Sequence, residues 1–189
     1  MSGMKVFAQK MTRWFLKEGI VDPERAEWCV YVIESRVFTL VSLSLVILIG
    51  AALFPIEDVL LLNFGVAFFR KKTSGLHLKS ALSCCFFSIL SELACLLLLP
   101  YFRGSVVLVT LLLSVLVIAT LAPFNNAEMH FEREEIETLR NVIFRRLILY
   151  VGLILLLLGN SSTYAFSLIL AMAYVALLLV LARLGFGCQ

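Results

Sequence analysis

Histidine is almost missing from this sequence: His77 and His130 are the only two in 189 residues. Charge is scarce as well, at 15% of residues, and it is clustered rather than spread. A net charge of +3, divided among several clusters, excludes the dense basic surface that nucleic-acid binding needs. The five cysteines are an odd number, and Cys29, Cys84, Cys85, Cys95 and Cys188 have neither a secreted disulfide framework's spacing nor a zinc knuckle's. A closed zinc site normally takes four ligands, and His77, Cys84 and Cys85 are the obvious ones here. No metal and no other cofactor is expected. The first twenty residues lack a continuous apolar core, because Lys5, Lys10, Arg13 and Lys17 interrupt it, so no cleavable signal is expected. No repeats, low-complexity tracts or linkers divide the chain, which reads as one domain over residues 1–189.

What the sequence does have is apolar length. Hydrophobic residues make up 61% and mean hydropathy is +1.00, against about 45–50% apolar in soluble domains. The expected class is all-α, a polytopic membrane protein. Met4, Phe7, Met11, Trp14 and Phe15 follow helical spacing, with the lysines and Arg13 off that stripe. This predicts an amphipathic helix over residues 1–20, lying in the membrane interface, packed on the protein's own surface, or both. Gly19 is placed to end it. Asp22 as N-cap and Pro23 at the first position open the next helix.

Six apolar runs follow, at 37–54, 59–69, 81–102, 105–122, 147–158 and 164–182, with Pro55 and Pro123 as stops. The second and fifth hold about a dozen residues, which at ~1.5 Å each falls short of a ~30 Å hydrocarbon core. Fifteen of the sixteen Lys and Arg residues fall in alternate polar segments, leaving Arg103 on the other side. That alternation requires all six runs to cross, with residues 22–184 as a six-span core and both termini in the cytosol. The polar stretch "NNAEMHFEREEIETLRN" is read as a cytosolic helix continuing into the fifth span.

The chemistry-bearing stretch is "RKKTSGLHLKSALSCC", residues 70–85. A thiolate is the working form of a catalytic cysteine, and a nearby imidazole can remove the thiol proton. The positive charge of Arg70, Lys71, Lys72 and Lys79 favours an anionic sulfur at Cys84. Spacing alone leaves the alternative open, because membrane cysteines are commonly small hydrophobes. Seven residues of straight helix would also hold His77 and Cys84 ~10.5 Å apart along the axis, beyond the ~3 Å that proton transfer needs. The pair therefore requires non-helical backbone between them, which Gly75 permits. Glu92 lies mid-span about two turns beyond Cys84, with Ser88 between. A carboxyl there either lines a cavity shared with the site or bonds a neighbouring helix. Asn63 in the second run has the same two readings, and His130 reads as a solvated surface residue.

The basic cluster, Gly-x-His, and a cysteine seven residues after that histidine, set between the second and third apolar runs, resemble the accessory gene regulator B family. So do "DPERAEWCVYVIESRV" and "LAPFNN", so the resemblance covers nearly the whole chain. The family comprises membrane cysteine endopeptidases of Gram-positive bacteria that mature quorum-sensing propeptides. The resemblance implies His77 and Cys84 as catalytic pair, Arg70 and Gly75 as supporting positions, and a cell-membrane enzyme with its site facing the cytoplasm. Lys71, Lys72, Ser88 and Glu92 complete the candidate set, Lys71 and Lys72 either attracting substrate or serving only as positive-inside charges. The implied substrate is a short propeptide with an amphipathic leader, a Cys or Ser in the middle and an acidic tail. Membrane lipid and a second copy in a homodimer are the other implied partners. Ser74 departs from the family's usual Gly or His, Cys85 is a second thiol beside the nucleophile, and Glu132, Glu134, Glu135 and Glu137 make acidic a loop that is basic in some relatives. The competing reading is a small membrane peptide transporter without protease activity, to which Glu92 and short spans are suited.

Overall fold

The computed structural model describes residues 3–73, 76, 81–102, 104–124, 133–160 and 162–186. Among these there are seven α-helices and no strand. They are α1 (Gly3–Lys17), α2 (Ala26–Leu53), α3 (Ile56–Thr73), α4 (Ala81–Leu98), α5 (Ser105–Leu121), α6 (Arg133–Gly159) and α7 (Tyr164–Arg183).

Local chemistry sets most of the helix ends. Gly19 adopts φ 69°, and the Gly19 and Ile20 amides reach back to the carbonyls of Leu16 and Phe15. This is a Schellman termination, with glycine supplying the left-handed residue. Gly185 closes α7 the same way, at φ 83°, with amide bonds from Gly185 to Ala182 and from Phe186 to Leu181. Phe54 and Ala122 are both extended, as residues before proline must be, and so end α2 and α5. Asp22 makes no side-chain cap. The chain instead enters α2 through a 3₁₀ turn over Pro23–Arg25, closed by the Arg25 amide on the Asp22 carbonyl.

Among the described residues, four helical segments are long and apolar enough to cross a bilayer: Pro23–Leu53, Leu82–Tyr101, Glu134–Gly159 and Tyr164–Arg183. This corrects the expectation of six. The fifth run is not short, because α6 is one continuous helix of 27 residues. The second run is too polar at its ends: α3 carries Glu57 and Asp58 in its first turn and Arg70, Lys71 and Lys72 in its last. The fourth is too short: the 17 residues of α5 rise only ~25 Å, against ~30 Å of hydrocarbon. The alternation that placed both termini in the cytosol needed six crossings, and it falls with them.

α7 is the hub, in contact with α3, α4, α5 and α6. It is buried on nearly all sides, through Leu168, Ile169, Ala171, Met172, Val175 and Leu179, which explains why it is apolar all round. Small residues let the helices close. A Cβ on Gly65 of α3 would lie 2.6 Å from the Ala171 Cβ, and one on Gly50 of α2 would lie 2.9 Å from Val59 Cγ1. Close backbone approach through small residues is the usual packing device in lipid, where burial of leucine against leucine drives nothing. The outer faces of α2, α4 and α5 carry exposed Leu48, Leu90, Leu108 and Leu112.

α1 packs along α2, burying Ala8 and Thr12 one turn apart. Phe7 and Trp14 stay half-exposed on its other side. The helix thus has a narrow protein-facing line and an apolar face left over.

Candidate active site

Cys84 sits in the first turn of α4, half-buried, with Cys85 also half-buried beside it. Consecutive helical residues point 100° apart, so the two thiols face different directions. None of Cys29, Cys84, Cys85 and Cys95 is in a disulfide. At helical spacing Cys84, Ser88, Ser91 and Cys95 form one stripe, with Glu92 at its edge. Ser88 and Glu92 are buried at 8% and 7% exposure, so this polar stripe faces into the bundle rather than into lipid.

Two other helices meet the stripe. From the last turn of α3, Arg70 donates through one nitrogen to Ser88 Oγ at 3.5 Å and through the other to the Leu76 carbonyl at 3.1 Å. Leu76 is buried and belongs to no helix. One guanidinium therefore joins the residue just before His77 to the turn just below Cys84. Glu92 lies buried one turn further along α4. From α7, Tyr174 meets Ser91, their oxygens 2.7 Å apart.

The end of α3 beside the site is held by further basic side chains. Arg146 of α6 donates to the Phe68 carbonyl and lies over the Phe68 ring, 4.9 Å from its centroid. The Phe124 amide donates to the Thr73 carbonyl at 3.0 Å, and Arg183 of α7 lies 5.4 Å from the centre of the Phe124 ring. Lys71 is exposed and Lys72 half-buried. Gly75, His77, Lys79 and His130 lie outside the described residues.

The family model for accessory gene regulator B matches residues 8–181, all but the two ends of the chain. This protein belongs to the accessory gene regulator B family. No match was found among curated proteins or among solved structures. An accessory gene regulator B protein is a membrane protein of quorum-sensing peptide processing, and the several spans found here agree with a membrane setting.

Among the predicted positions, the fold of this family member brings Arg70 and Ser88 together beside the helix turn that bears Cys84, with Glu92 buried one turn beyond Ser88 on the same helix. Asn63 is buried in α3, where its amide donates to the Val59 carbonyl at 2.8 Å and its Oδ1 has no partner. No group of three metal-ligating side chains converges among the described residues. The sequence reading missed Ser91, Tyr174 and the carbonyl of Leu76. Ser91 and Cys95 could have been found, since both repeat the helical phase of Cys84. Tyr174 could not: it is 83 residues from Ser91, and nothing local marks it.

Proposed function

We propose that this protein is a membrane-embedded cysteine endopeptidase that removes the acidic C-terminal tail of a quorum-sensing propeptide and closes the remainder into a ring. The observation that carries the reading is the Arg70 fork, which ties the backbone beside His77 to the helix that bears Cys84. Fixing those two segments together is what a proton-transfer pair on non-helical backbone requires.

His77 takes the proton from the Cys84 sulfur, which attacks the carbonyl carbon before the tail. The peptide C–N bond breaks, and the tail leaves as an amine carrying the proton from His77. A thioester to Cys84 remains. The propeptide's own cysteine then gives its proton to His77 and attacks that thioester. One thioester forms as another breaks, so the bond energy passes into the ring, and Cys84 recovers its proton. A serine in the same place gives a lactone. Water must be kept from the thioester, and the half-buried setting of Cys84 serves that end. The placement of Cys84 in the first turn of α4 puts it at the positive end of a helix dipole. The basic end formed by Arg70, Lys71, Lys72, Arg146 and Arg183 supports a cytoplasmic site and attraction of an acidic tail. The transporter reading rests on Glu92 and on short second and fifth spans, whereas α6, which holds the fifth run, is one unbroken helix of 27 residues.

The test is incubation of the protein in lipid vesicles with candidate propeptides, followed by mass spectrometry. Tail loss and ring closure are expected to vanish in Cys84→Ala and to persist in Cys85→Ala. Normal cleavage by the Cys84 variant removes the proposal.

A further inference from the structure

Tyr174 has no place in the scheme above, yet it makes a short side-chain link from α7 to α4. Its ring is buried at 3% exposure in α7. Ser91, its partner, also lies 2.5 Å from the Phe87 carbonyl and 3.2 Å from that of Ser88. A serine hydroxyl has one proton to give. That proton goes to a carbonyl of its own helix, so the phenol is the donor across the gap and Ser91 Oγ the acceptor. The bond is a strut from α7 to α4.

A strut at this point acts on the site. Ser91 is seven residues from Cys84, which is two turns and nearly the same direction around the helix. The opposite side of α4 exposes Leu82, Phe86, Leu90 and Leu97. In water, burial of such a face would fix the helix's rotation. In lipid it does not, because the acyl chains are as apolar as the side chains, and close packing together with polar contacts between helices decides the setting instead. Two polar contacts that reach α4 from its neighbours are Arg70 to Ser88 at 3.5 Å and Tyr174 to Ser91 at 2.7 Å.

We infer that Tyr174 is a positioning residue: its hydrogen bond to Ser91 fixes the rotation of α4 and thereby the direction in which the Cys84 sulfur points. This rests on the reading of Cys84 as nucleophile. Cys85 supplies an internal gauge, because it points 100° away on the same helix. A turn of α4 changes the exposure of the two thiols in different senses, whereas general loosening raises both.

The experiment compares Tyr174→Phe, Ser91→Ala and the double variant in lipid nanodiscs. Each is read by steady-state tail release and by the ratio of iodoacetamide labelling at Cys84 to that at Cys85. The ring stays in Tyr174→Phe, so packing is kept. A cross-helix hydrogen bond of ordinary membrane strength predicts a roughly three- to fifteen-fold fall in kcat with KM within about twofold. The labelling ratio shifts by a similar factor, and the double variant is no worse than either single one. An unchanged ratio and kcat in Tyr174→Phe overturns the inference, as does a double variant whose losses multiply. If the unaltered protein cleaves no propeptide, the protease reading fails by itself, and the labelling ratio still decides the role of Tyr174.

Discussion

Arg70→Lys keeps the charge and removes the fork. The guanidinium spans two acceptors on different segments, Ser88 Oγ at 3.5 Å and the Leu76 carbonyl at 3.1 Å. A lysine ammonium is a point donor on a flexible stem and cannot hold both. One link is therefore lost. Charge-assisted hydrogen bonds are worth about 1.5–3 kcal/mol in soluble proteins, and polar links between membrane helices about 0.6–1.7 kcal/mol. A value of about 1.4 kcal/mol, within the membrane range and just under the soluble one, lowers the population of the tied state about tenfold. Tail release by Arg70→Lys is thus expected to fall about tenfold in kcat, with the protein still folded and inserted. Arg70→Ala loses both links, so its loss is larger, about a hundredfold. The assay is single-turnover cleavage in vesicles at saturating propeptide, with helical content checked by circular dichroism. An Arg70→Lys protein that cleaves within about twofold of the unaltered rate refutes the reasoning, because charge alone would then suffice.

Two further predictions concern the frame rather than the site. Gly65→Ala places a methyl group 2.6 Å from the Ala171 Cβ and against Tyr150 Oη, and the Ala171 methyl has no torsion by which to move away. The backbones of α3 and α7 must separate, and Tyr150 must give up its 3.2 Å bond to the Leu168 carbonyl. Loss of about 2–3 kcal/mol is expected in SDS-unfolding titrations, and unchanged stability contradicts the packing described. Ser167→Ala removes a 2.6 Å bond to Asp58 Oδ1 at the end of α3 far from Arg70. It should cost about 1–2 kcal/mol in the same titration while kcat stays within about twofold, and a selective loss of kcat would show that this end of α3 reaches the chemistry.

The helices were legible where local rules apply. Gly19, Pro55 and Pro123 end elements for backbone reasons that act within a few residues. The lead from Arg133 into an apolar helix was readable from the polar stretch before it, although counting only apolar residues made that span look short. Span number was misread because an apolar run is not a helix. α6 extends fourteen residues upstream of its apolar run at 147–158, while α3 spends both ends on charge. Candidate site residues within "RKKTSGLHLKSALSCC" could be found because they are close in sequence. The Leu76 carbonyl could not, since any residue offers a carbonyl and only the fold selects one. Tyr174 and Arg146 were hidden for a related reason: their partners are 83 and 78 residues away.

The arginines were the hardest to read because each serves two purposes. Counting Lys and Arg treats Arg70, Arg146 and Arg183 as equal markers of the cytoplasmic side. Each of them also makes a directed contact at the basic end: Arg70 with Ser88 and Leu76, Arg146 with the Phe68 carbonyl and ring, Arg183 with the Phe124 ring. Lys71 is exposed and contributes its charge to this end. The two purposes separate under substitution. Lysine preserves the charge that orients the chain in the membrane but not the planar fork that ties segments together. Arginine-to-lysine changes at this end should therefore leave insertion intact and damage the site in proportion to the bonds each guanidinium makes. Arg70 stands first in that order because its two bonds reach both the backbone beside His77 and the helix that carries Cys84.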